Sequence, residues 1–119
     1  MNIYDFLHWV AARWDADSRK EKEKVVIAAM GLMGEAGEVG EHFKKWFRSQ
    51  KSIPRDQFIL EMGDVLHYWV YLCHKADVDP EEIMYANMDK LKARYGVRGV
   101  APVPIEDAPL IGENSCSNG

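Results

Sequence analysis

Cysteine is scarce in this chain. The two present, Cys73 in an apolar run and Cys116 in a polar tail, build neither a disulfide framework nor a zinc cluster. That usage suits a reducing compartment, so a cytoplasmic location is expected. Long uncharged apolar runs are missing as well: none approaches the ~20 residues of a spanning helix. The opening Met1-Asn2-Ile3-Tyr4-Asp5 has no basic n-region or apolar h-region. A soluble, unsecreted protein with no membrane partner is expected. Positive charge is not in excess either. A formal net charge of −4, with 29% of residues charged, argues against gripping nucleic acid through a broad basic surface. An anionic ligand would then need a metal ion or a local basic cluster. Prolines are few and punctuate the chain: Pro54 and Pro80 can each open a helix, while Pro102, Pro104 and Pro109 exclude one.

What is present is helical patterning over one small domain, 119 residues long and 47% hydrophobic. Ile3, Phe6, Leu7, Val10 and Trp14 recur at spacings of three and four, predicting an amphipathic helix over 3–15. Trp9 lies off that stripe and is assigned to packing in preference to stacking on a base. Ser18-Arg19-Lys20-Glu21 matches a capping box and predicts a second helix running to about Phe47 or Arg48. A third is predicted from Arg55 to Ala76, apolar nearly all round. Asp79-Pro80-Glu81-Glu82 starts a fourth, which ends at Tyr95 before Gly96. Its apolar stripe is Met84, Met88, Leu91 and Tyr95. Residues 97–119 read as an extended arm that becomes a disordered tail from Ile111, leaving 1–96 as the domain.

The chemistry gathers between Gly31 and Asp64, in Glu35-Ala36-Gly37-Glu38 and Glu61-Met62-Gly63-Asp64. Each acidic pair is spaced i, i+3, so on a helix both carboxylates leave from nearly one face. His42 and Lys45 share the face of Glu35 and Glu38, bordering the apolar stripe. Four ionised carboxylates in poorly solvated surroundings repel one another unless protons or a multivalent cation intervene. A hard divalent ion, Mg²⁺ or Mn²⁺, suits such a set. Gly31, Gly34, Gly37 and Gly40 recur every third residue, and each costs about 0.5–1 kcal/mol relative to Ala inside a helix. Close approach of another backbone, room for a ligand, or a merely bent helix would each account for them. On the fourth helix, Asn87, Lys90 and Arg94 form a polar stripe.

These pairs, their glycine neighbours, the helix order and the distal stripe together resemble the MazG-like family of all-α nucleoside triphosphate pyrophosphohydrolases. The resemblance reaches from about Ile3 to Tyr95. It implies Mg²⁺-dependent cleavage between the α and β phosphates of an NTP or dNTP, giving monophosphate and pyrophosphate. Glu35, Glu38, Glu61 and Asp64 map to its metal ligands and catalytic acids. Lys90, Arg94 and Asn87 would hold the triphosphate, with Lys45 beside them. The proton of the attacking water would go to one of the four carboxylates or to Glu41, and the sequence does not choose. Trp9, Trp14, Trp46 and Tyr68 are candidates for a wall against the base.

Two other classes compete. A carboxylate-bridged di-iron bundle needs Glu-x-x-His pairs, and Asp64-Val65-Leu66-His67 is only a partial match. A non-catalytic helical module would bind nucleotides or partners without cleaving them. The expected architecture is an all-α, four-helix up-and-down bundle, MazG-like and completed by oligomerisation. The apolar third helix is more than one short chain can cover, so a homodimer or homotetramer is expected.

Overall fold

Asn2 caps the first helix reciprocally: its side chain accepts from the Asp5 amide at 2.9 Å, while the Asp5 carboxylate accepts from the Asn2 amide at 3.2 Å. In this computed structural model, which describes residues 1–96, 105 and 108–115, α1 spans Ile3–Asp15. The long α2 spans Glu21–Ser49, α3 spans Arg55–Ala76 and α4 spans Pro80–Tyr95. The fold is all-α, with four helices and one two-residue parallel ladder, β1 (Ile53–Pro54) against β2 (Ile111–Gly112).

Three helices, α1, α3 and α4, have the bounds expected from the sequence, and the start of α2 differs. The Ser18 cap is not used. Asp17 instead accepts from the Arg19 amide at 2.9 Å and from its guanidinium, a local turn that competes with capping, and α2 begins after Lys20 with no side-chain cap. Glu21 then receives Lys24 at 2.9 Å and also Lys75, which ties the start of α2 to the end of α3 and satisfies the buried Lys24 ammonium.

α2 and α3 form an antiparallel hairpin. Trp14 lies toward its open end, and successive cross-helix pairs run Gly31 with Tyr68, His42 with Glu61, and Phe43 with Phe58, advancing along α2 as they retreat along α3 toward the connecting turn. The core lies where α1 crosses this hairpin. Leu7, Val10 and Trp14 pack with Ala28, Val70, Tyr71 and Cys73, and the Trp14 and Tyr71 rings stack at 4.3 Å. α4 joins through its first turn only. Tyr4 donates to Asp79, the N-cap, at 2.7 Å, Pro80 is buried and Ile83 touches the core. Beyond that turn Met84, Met88, Leu91 and Tyr95 are exposed, so the expected apolar stripe has no cover among the described residues. A radius of gyration of 17.5 Å, against about 13–14 Å for a compact chain of this length, agrees with so open an arrangement.

Two further expectations change. Trp9 is exposed, with the Arg13 guanidinium 4.9 Å above its ring, and is not a packing residue. The tail is not disordered from Ile111. Trp46 donates to the Ala108 carbonyl at 3.2 Å, Ile53 to that of Leu110 at 2.8 Å, Ser52 to that of Pro109, and Ser115 donates twice to Asp56. These bonds strap the arm across the corner between α2 and α3. The rest of the expected arm and tail, 97–104, 106–107 and 116–119, lies outside the described residues.

Candidate functional site

The hairpin pairing sets the middle of α2 against the first half of α3, and with it the two acidic pairs. Glu35 and Glu61 are partly covered, whereas Glu38 and Asp64 are exposed. Their convergence shows most directly at Glu35. Burial, repulsion from Glu38 and Asp64, a hydrogen bond with Glu38 and repulsion from Glu61 push its carboxyl above the usual carboxylate range. A residue that feels all three others marks where the four come together.

Whether these residues suit a divalent cation can be judged from their chemistry. The donors are all carboxylate oxygens, the set that hard ions prefer, and the mutual repulsion at Glu35 is what such an ion would relieve. Among the described residues no three His, Cys, Asp or Glu side chains are closed around a common point. The donor set fits, and its side chains stand apart.

One neighbour is already engaged. His42 Nε2 lies 2.8 Å from Oε1 and 2.7 Å from Oε2 of Glu61. The spacing of four from Glu38 placed His42 on the carboxylate face, yet nothing in the sequence signalled its partner across the hairpin. Lys44 turns away to Glu41 at 3.6 Å, which leaves that acid exposed and ion-paired, outside the gathered four. Lys45 lines an open cavity of about 370 Å³ with His42, Trp46, Arg48, Lys51 and Pro54 among its walls. Arg48 and Lys51 add positive charge there that sequence reasoning passed over, because both sit where helix gives way to loop.

The α4 candidates are not brought in by the chain itself. Asn87, Lys90 and Arg94 are exposed, α4 is not packed along α2 or α3, and among the described residues no hydrogen bond or ion pair joins the three to the carboxylates. Of the proposed base wall, Trp14 is a core residue, Tyr68 lies over Gly31, Trp46 holds the arm and Trp9 is on the surface. The histidine of the di-iron alternative is committed elsewhere, because Trp14 Nε1 donates to His67 Nε2 at 3.0 Å.

The sequence profile of the MazG nucleotide pyrophosphohydrolase domain matches residues 27–98 of this chain. The chain belongs to the MazG nucleotide pyrophosphohydrolase family. The MazG match begins within α2 and runs just past the end of α4. Gene 37 protein of Mycobacterium phage L5 is 35% identical over 82 residues, covering 66% of this chain and 71% of that protein. No solved structure matches. Both acidic pairs fall inside the MazG region, and no described helix is long and apolar enough to cross a membrane.

Proposed function

We propose that this protein hydrolyses nucleoside triphosphates, NTP or dNTP, between the α and β phosphates to the monophosphate and pyrophosphate in a Mg²⁺-dependent reaction. The observation that carries the reading is the convergence of Glu35, Glu38, Glu61 and Asp64, registered in the raised Glu35 carboxyl and lying within the MazG region.

Glu35, Glu38, Glu61 and Asp64 would hold the Mg²⁺. When bound, it neutralises phosphate charge and raises the hydroxide fraction of a nearby water. The chain's own part is to gather the carboxylates on two helices that pack against each other. One of these carboxylates, or Glu41, would take up the proton of the attacking water. Lys45, at the edge of the cavity, supplies a cation for phosphate oxygens. Asn87, Lys90 and Arg94 contribute to triphosphate binding by way of α4, whose exposed Met84, Met88 and Leu91 fit a homodimer or homotetramer that covers them. Activity in the nucleotide pool of the cytoplasm is the setting in which such a reaction acts on free nucleotides.

The test is to incubate purified protein with Mg²⁺ and a panel of NTPs and dNTPs and to separate the products. Monophosphate with pyrophosphate, abolished by chelation and by Glu38→Gln, is expected. Diphosphate with phosphate would overturn the site of cleavage, and Mg²⁺ binding without turnover of any nucleotide would point to a non-catalytic binding module.

A further inference from the structure

His42 stands four residues beyond Glu38 on α2 and reaches across the hairpin to Glu61 on α3. An ionised carboxylate only accepts hydrogen bonds, so Nε2 carries a proton and donates across both Glu61 oxygens, at 2.8 and 2.7 Å. The two side chains are 26% and 23% exposed, covered enough that water does not simply replace the contact. Among the described residues no hydrogen bond or ion pair joins Glu38 or Asp64 to a basic side chain, although the Asp64 charge acts on His67, and the hydrogen-bond partner of Glu35 is Glu38. Glu61 is therefore the one carboxylate of the four whose orientation the chain itself fixes through a basic side chain.

We propose that His42 is a positioning residue for Glu61, an inference that rests on the metal reading of the four carboxylates. Glu61 has three rotatable bonds and stands in a cluster whose members repel one another, so an unrestrained side chain swings out toward solvent. The imidazole removes that freedom and leaves lone pairs on both carboxylate oxygens for a cation. Partners of this kind, held one layer behind a ligand, alter metal affinity by about 10–100-fold when removed. The bond spans α2 and α3, so it also sets the spacing of the two acidic pairs.

Mn²⁺ binding to the full chain, measured by calorimetry at one pH, tests this without reference to turnover. His42→Leu is expected to weaken binding about 10–100-fold. His42→Gln, which keeps an N–H donor at similar reach, is expected to recover most of it. In a Glu61→Gln background His42→Leu should add little, because the group it positions is already altered. Circular-dichroism melts identify any variant whose loss is one of folding. The positioning role is overturned if folded His42→Leu binds Mn²⁺ as wild type does, if Gln is as poor as Leu, or if the losses from His42→Leu and Glu61→Gln simply add. A wild-type chain that binds no Mn²⁺ would remove the metal reading and this role together, whereas the first three outcomes leave the metal reading standing.

Discussion

At one end of the α2–α3 hairpin, Trp14 is stacked on Tyr71 at 4.3 Å among side chains that water does not reach, with Val10, Ala28 and Val70 fully buried. Toward the connecting turn the same two helices meet through Phe43 and Phe58 edge to face at 6.3 Å and through the His42–Glu61 bond, beside carboxylates that repel one another. The glycines record the same contrast. A Cβ on Gly31 would come within 2.5 Å of the Tyr68 ring, whereas Gly34, Gly37, Gly40 and Gly63 meet nothing within 4 Å. One hairpin thus carries stability toward its open end, where α1 crosses it, and a site nearer its connecting turn. A polar site that must admit a ligand cannot also be a dry core.

The contrast is broken most severely by Trp14→Ala, which should cost about 3–5 kcal/mol in urea unfolding, the usual range for deleting a large buried ring. Glu38→Gln is the converse change. It should leave urea stability unchanged or slightly raised without metal, while nucleotide turnover falls by at least about 100-fold, the scale on which one preorganised electrostatic partner acts. If Glu38→Gln destabilised the fold as Trp14→Ala does, the division between the two ends would be wrong.

The core end was the more legible of the two in sequence. Its stripe of Leu7, Val10 and Trp14 repeats at helical spacing, and Pro80 with Asp79 marked the start of α4 without ambiguity. Local signals suffice where local geometry decides. Ser18 failed as a cap because Asp17 offered the backbone a nearer partner, a competition that no spacing rule resolves. The four acids of the site were legible because two i, i+3 pairs in apolar helices are unusual. The bond from His42 to Glu61 was not, since it depends on the register of two helices packed across the hairpin. An extended arm to Leu110 was expected, but its fastening through Ser115 was not, because its bonds run to backbone carbonyls and to Asp56, which leave no periodicity.

A single substitution made at both ends sharpens the comparison. Gly31→Ala must displace the Tyr68 ring and should destabilise by about 1–3 kcal/mol, as overpacking does. Gly37→Ala has room and removes a helix-interior glycine, so thermal melts should show a gain of about 0.5–1 kcal/mol. A loss at Gly37 would instead mean that a second chain lies against that face.

The smallest effect is expected from acidification. Burial holds the His67 imidazole below its usual range despite Asp64, and its Nε2 needs a lone pair to accept from Trp14. The unfolded chain therefore takes up this proton more readily than the folded one. The stability that His67 contributes is complete above about pH 6.5 and is lost as pH falls through the lower folded value. In urea titrations, His67→Gln should flatten the part of the pH dependence that lies just below 6.5.

The strap across the hairpin corner bears on the order of assembly. Ile53 and Ile111 are partners in a parallel ladder although all of α3 and α4 separate them along the chain. Closing so long a loop is entropically late, while the α2–α3 hairpin needs only its own short turn. The corner beside the cavity therefore forms early and is fastened late. In stopped-flow refolding, Trp46, whose indole holds the Ala108 carbonyl, should report a slower phase than Trp14 in single-tryptophan variants.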